Sequence, residues 1–342
     1  MVEHLGDPGG VLVLDETGFV KKGMRSVGVQ RQYSGTAGRI ENCQIGLFLG
    51  YAGRHGHALI DRALYLPQSW AGDEERRRLA GVPEEVAFAT KPKLGVAILE
   101  RALDAGVPCA WAAADSVYGA DSALRQALVR RRIGYVLTVT SGQRLFPGTV
   151  SDWVEEVPAD GWHRLAAGDG SKGPRLYDWA HLPFRGAPEG WDKGLLIRRR
   201  LVDGNLTFYF TFAPTGTTLK DLVRVAGTRW AIESAFELAK GEVGLDHYEV
   251  RSWTGWHRHI TLAMLALAFL TVVRTAAIGG RGPGRLGSRP PALDRAGSPP
   301  PARPSARGTR HRYCLVTLAK TPSAAGPTLP LETPHPSRES RL

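Results

Sequence analysis

Two short apolar runs each end in an aspartate. Residues 11–14, Val-Leu-Val-Leu, lead into Asp15, and residues 107–114 lead into Asp115. Runs of this length and composition read as buried strands. In open α/β sheets, ligand sites gather at the carboxyl ends of strands. If the two strands are parallel neighbours, the carboxylates face each other across one edge. Two such charges repel, so one must take a proton or a cation must sit between them. Acidic oxygen clusters suit Mg²⁺ or Mn²⁺. A third carboxylate, Glu233, falls on the helix predicted over 227–241. Arg229 stands four residues before Glu233 and Lys240 seven after, so all three lie within about 40° of one face. Val225, Ile232, Phe236, Ala239 and Val243 form a separate apolar stripe, which the helix can bury while presenting Glu233 to the aspartates. Three carboxylates would hold two metal ions about 4 Å apart, an arrangement suited to in-line phosphoryl displacement. Arg229 and Lys240 would then hold phosphate oxygens. Lys21 and Lys22 follow the first acidic motif and are further candidates for phosphate contact, with a solvated loop as the alternative.

The elements that must carry these residues follow from patterning. Strands are predicted over 26–33, 43–51 and 58–66, each bounded by Gly or Pro. Leu94, Ala97, Ile98, Ala102 and Leu103 share one helix face over 93–105. A second helix over 120–132 and a strand over 135–140 complete an alternation of strands and helices, the mark of an α/β fold. Residues 142–217 break it with many Gly, Pro and Trp and strand-like runs at 194–201 and 206–212, which reads as a β-rich insertion. Helical periodicity returns at 219–243. The helix over 258–276 is apolar on every side and is expected to be buried. The expected divisions are therefore 1–141 and 218–278 for the core, 142–217 for the insertion and 279–342 for a tail.

The chain has 342 residues and a formal net charge of +11. Its 43% apolar and 23% charged residues exclude full disorder. The charge is uneven. Residues 279–342 hold 11 Lys+Arg against 3 Asp+Glu and 12 of the 23 prolines. The basic character thus belongs mainly to a segment whose composition predicts disorder. The longest apolar run, 260–273, is shorter than the roughly 20 residues that span a bilayer, and the start carries no signal-peptide pattern. Cys43, Cys109 and Cys314 form no CxxC pair, which argues against a disulfide framework or structural zinc. The expected location is the cytoplasm.

At this point the residues resemble a family. LDETGFVKKG, SVGVQRQYSGTAGRIENCQIGLFL, AADSVYG and RWAIESAFELAKGEVGLDHYEVRSWTGWHRHITLAMLALAFL are similar to DDE transposases of the insertion-sequence-701 family, over about 11–274. The resemblance implies an α/β, RNase H-like mixed five-stranded sheet flanked by helices, with a β-rich insertion before the last acidic residue. It implies Mg²⁺-dependent cutting of transposon ends by two metal ions, with Mn²⁺ as a substitute, and strand transfer into target DNA by self-associated protein. It places the acidic triad, as catalytic residues and metal ligands, on Asp15, Asp115 and Glu233. A related Tyr, Arg, Glu, Lys signature fits Arg229, Glu233 and Lys240, while Ala226 stands at the Tyr position. Relatives carry a helical segment before the first aspartate, where this chain has 14 residues, and continue past the apolar helix in another sequence. The expectation is a truncated reading frame whose 3′ part is read in a shifted frame. A rival reading is a catalytically silent remnant that binds DNA through its Arg-rich tail. A general RNase H-like nuclease is the third.

Other residues have plainer readings. Glu16, Glu237 and Asp121 read as exposed charges or caps. The two HxH pairs, His55/His57 and His257/His259, lack enough further ligands for zinc. Trp253 and Trp256 read as packing against the apolar helix rather than as base-stacking platforms. Tyr118 lacks the His and Arg partners that a nucleophilic tyrosine would need.

Overall fold

The structure is a computed structural model that describes residues 2–170 and 173–278. The tail predicted to be disordered, and with it Cys314, lies outside the described residues. In chain order the elements begin with α1 (Val2–Leu5), β1 (Val11–Val20), β2 (Gln30–Ser34), β3 (Arg39–Gly53) and β4 (Gly56–Leu64). Then come α2 (Gln68–Ala71), α3 (Glu74–Ala80), α4 (Lys91–Asp104), β5 (Trp111–Ala114), α5 (Ser116–Gly119), α6 (Ser122–Arg130) and β6 (Gly134–Val139). The second half holds β7 (His163–Gly170), β8 (Gly173–Phe184), β9 (Trp191–Arg200), β10 (Leu206–Pro214), α7 (Leu219–Thr228), α8 (Trp230–Val243) and α9 (Trp253–Ile278).

Five strands form the core that the resemblance implies. β1 pairs in parallel with β5, and β5 in parallel with β6. On its other side β1 pairs antiparallel with β3, which pairs antiparallel with β4. The order β4-β3-β1-β5-β6 is mixed and is consistent with an RNase H-like fold. The sheet does not stop at five strands. β10 pairs antiparallel with β6, and β9, β8 and β7 follow as antiparallel neighbours. With β2 on β3, one sheet of ten strands results. The β-rich segment therefore extends the core sheet through the edge of β6, which would otherwise leave unpaired backbone groups.

Helices cover both faces. On one, α4, α5 and α6 pack over Leu12, Leu14, Ala112 and Leu137. On the other, α7, α8 and α9 pack over Val11, Val13, Phe48 and Leu196. Four of the five residues of the stripe predicted beside Glu233 are buried, Val225, Ile232, Phe236 and Ala239 each at most 9% exposed, and Val243 is half-buried. The single helix read from periodicity is broken at Arg229. Thr228 Oγ1 donates back to the Arg224 carbonyl at 2.9 Å, a bond that bends helices.

α9 is longer than the apolar run 260–273, which Thr261 and Thr271 interrupt, and by length and composition it could cross a membrane. Its inner face is core: Trp256, Ile260, Ala263 and Leu267 are buried, and Trp256 meets Phe19 edge-on at 6.5 Å. The expectation of burial on all sides fails on the outer face, where Leu262, Leu265 and Phe269 are about two-thirds exposed.

Gly227 in α7 marks a close approach. A Cβ there would lie 1.8 Å from the Ala167 carbonyl oxygen of β7. Backbone cannot yield as a flexible side chain can, so Gly227→Ala must push α7 off β7. We expect a loss of about 2–3 kcal/mol, read as a fall of several degrees in the thermal midpoint. An unchanged midpoint would show that the helix shifts without cost.

Candidate active site

β1 alternates between the two layers. Val11, Val13 and Phe19 face α7–α9, and Leu12 and Leu14 face α4–α6. The period of two puts Asp15 and Thr17 on the first face and Glu16 on the second. Leu14 pairs with Ala114 across the parallel ladder, so Asp15 and Asp115 each stand one residue beyond matched neighbours. Asp115 leaves the strand as the N-cap of α5. Its Oδ1 accepts from the Val117 and Tyr118 amides at 3.0 and 3.4 Å, the usual role of a capping aspartate.

Burial dominates the electrostatics. The Asp15 carboxyl is pushed up to about 7, first by desolvation, then by the charge of Asp115, with Arg229 opposing. Asp115 is also raised, chiefly by burial, against the pull of its two capping amides. Both midpoints thus lie above the ordinary value of an aspartate.

The third carboxylate arrives on α8, and Arg229 joins it to the first. One guanidinium nitrogen donates to Asp15 Oδ2 at 3.2 Å and the other to Glu233 Oε1 at 2.8 Å. Lys240, two turns further along α8, donates to Thr17 Oγ1 at 2.8 Å and Thr36 Oγ1 at 3.2 Å. Asp15, Asp115, Arg229 and Glu233 are thus brought together, with Lys240 two residues along β1. Lys21 is elsewhere. Its ammonium donates to the Tyr248 carbonyl and lies over that ring, and its charged neighbours are Glu249 and Asp246. Lys22 is exposed.

Residues 1–166 match the family of DDE superfamily endonucleases. The match takes in both aspartates and supports a DDE transposase-like family with nuclease chemistry on DNA. Glu233, Arg229 and Lys240 lie beyond it. A search of curated proteins finds no match.

Within the matched segment, a second polar cluster backs the aspartates. Glu16, expected as an exposed charge or cap, is held from two sides. Lys91, at the start of α4, donates to its Oε1 at 2.5 Å, and the buried Tyr118 hydroxyl donates to its Oε2 at 3.0 Å. The charge of Glu16 adds to the raised midpoints of both Asp15 and Asp115. Strand alternation was the available signal, since it separates Glu16 from Asp15. Nothing in the spacing pointed to Lys91. Asp121 is a cap, accepting from the Leu124 amide at 2.8 Å. His257 and His259 bond to the carbonyls of Trp253 and Gly244.

The donor set fits a divalent cation in part. Asp15 and Asp115 are two half-buried carboxylates with raised midpoints, a state that nearby positive charge would relieve. The charge now nearest to them is the Arg229 guanidinium. Among the described residues no three metal-ligating side chains converge, and Glu233 Oε1 accepts from Arg229. Asp15 and Asp115 are oxygen donors of the kind a divalent cation takes, and Glu233 is tied to Asp15 through Arg229.

Proposed function

We propose that this chain cuts DNA phosphodiesters as a transposase of the insertion-sequence-701 type, using Asp15, Asp115 and Glu233 as the acidic triad. The observation that carries the reading is the pair of half-buried aspartates one residue beyond the last rung of the β1–β5 parallel ladder, Asp115 at the end of β5 and Asp15 inside β1, which runs on to Val20, with Glu233 tied to Asp15 through Arg229. Asp15, Asp115 and Glu233 would hold Mg²⁺, or Mn²⁺ in its place. When bound, such ions stabilise charge on phosphate oxygens and lower the pKa of a coordinated water. The protein's own contribution is positioning. β1 and β5 fix the two aspartates, the α5 cap orients Asp115, and α8 carries Glu233 with the phosphate-binding cations Arg229 and Lys240. Joining the freed 3′-hydroxyl to target DNA on self-associated protein is the finer part of this reading and rests on the family resemblance.

A supercoiled plasmid carrying the element end tests it. The native chain with Mg²⁺ or Mn²⁺ is expected to nick the plasmid, and Glu233→Gln to lose that activity. Equal nicking by both would remove Glu233 from the site. A second reading, a silent DNA-binding remnant, is favoured by one observation: Arg229 donates to both Asp15 and Glu233. No nicking by a folded native chain would select it.

A further inference from the structure

The sheet face that carries Asp15 continues into the β-rich segment and changes character there. Trp179 of β8 and Leu196 of β9 belong to the same buried cluster as Val13. Strand alternation therefore places Arg175 and Tyr177 of β8, and Arg198 of β9, on the face shared with Asp15. Arg198 stacks over the Tyr177 ring at 4.6 Å and donates to Thr207 Oγ1 at 3.0 Å. Arg175 stacks over Trp230 at 4.8 Å. Trp230 is the residue next to Arg229 and is 45% exposed. Among the described residues neither Arg175 nor Arg198 has a carboxylate within ion-pair distance, and Arg175 Nε is buried with no hydrogen-bond partner. The charge of Glu233 reaches Arg175, so this strip begins at the candidate site.

The opposite face differs. There Arg164 and Arg199 share Asp178, at 3.0 and 3.3 Å. On one face of β8–β9 Arg164 and Arg199 are neutralised by Asp178; on the other, Arg200 at the end of β9 pairs with Asp203 at 2.8 Å, while among the described residues Arg175 and Arg198 have no acid within ion-pair distance. An aromatic ring under a guanidinium fixes its plane and leaves N–H edges free to engage two oxygens of an oxyanion such as phosphate. Phosphates spaced along a strand match that display.

We propose that Arg175 and Arg198, set on Trp230 and Tyr177, form a DNA-backbone track that leads from the acidic site across β8 and β9. The proposal rests on the nuclease reading above, and it adds a role for the β-rich segment as the part that holds the DNA flank during cutting.

The test is binding of the full chain to a labelled DNA duplex over a range of salt concentrations, without metal. Removing one phosphate-binding side chain should reduce the slope of log affinity against log salt by about 1. Arg175→Ala/Arg198→Ala should flatten the slope by about 2 and weaken low-salt binding at least tenfold. Arg164→Ala/Arg199→Ala, on the neutralised face, should leave the slope unchanged. If the first double variant does not fold, Arg198→Ala alone should flatten the slope by about 1. An unchanged slope in the folded Arg175/Arg198 variants overturns the track, as does equal flattening by the Arg164/Arg199 pair. The nuclease reading fails separately: plasmid nicking that is equal in native protein and Glu233→Gln discards the triad, whatever the slopes show.

Discussion

Asp115→Asn should abolish DNA cleavage and leave folding and DNA binding in place. The substitution separates two roles of one side chain. As a cap, Asp115 offers Oδ1 to the Val117 and Tyr118 amides, and asparagine offers the same oxygen with nearly the same capping preference. Beside Asp15, it supplies negative charge, which asparagine lacks. Losing a ligand that stabilises charge in the transition state removes several kcal/mol. We expect a drop of about a thousandfold or more, equivalent to about 4 kcal/mol. Asp115→Ala is the control. It should lose activity as well, together with about 1 kcal/mol of stability from the missing cap. Cleavage by Asp115→Asn within about tenfold of the native rate would mean that Asp115 is a cap and nothing more. The assay is nicking of supercoiled plasmid, with binding followed on the same DNA.

Much of this arrangement was legible in the sequence, for physical reasons that also show where legibility stops. A buried strand between two helix layers must be apolar on both sides, so β1, β5 and β6 stood out as uninterrupted runs. α4 and α6 showed because one face of each packs on the sheet. β7 and β8 did not. Their outer positions alternate with glycines and charges, and their partner strands are chosen by the exposed edge of β6 rather than by any local pattern. The spacing of Arg229, Glu233 and Lys240 correctly put them on one side of a helix. It could not say that Arg229 would lie at a break, or that its guanidinium would reach both Asp15 and Glu233. Such a contact depends on how α8 meets β1, a long-range distance that no periodicity encodes. The same holds for Lys91, which reaches Glu16 across 75 residues of chain. Sequence pattern reports which face a residue takes; which opposite charge waits there is a property of the assembled layers.

The raised midpoint of Asp15 leads to a second large effect, on stability. A carboxyl whose midpoint rises from the ordinary 3.8 to about 7 is held protonated by the folded chain at pH values where the unfolded chain has released the proton. The folded state then binds more protons between about pH 4 and pH 7, so stability falls as pH rises through that window and levels off above it. The cost of charging the group approaches about 4 kcal/mol above pH 7. Asp15→Asn removes the charge and keeps an oxygen for the Arg229 contact. At pH 8 and without divalent metal, the variant should therefore be more stable than the native chain by about 2–4 kcal/mol. The gap should close near pH 4, where the native carboxyl is already neutral. Mg²⁺ should raise the native midpoint at pH 8 by binding only the folded state, and should do far less for the variant. Thermal unfolding at several pH values, with and without Mg²⁺, reads all three. A native chain that instead gains stability from pH 4 to pH 7, and loses it in Asp15→Asn, would mean that the Arg229 ion pair outweighs burial and the neighbouring Asp115. In that case the aspartates form a settled salt-bridge network with no need of a cation, and the silent reading gains what the nuclease reading loses.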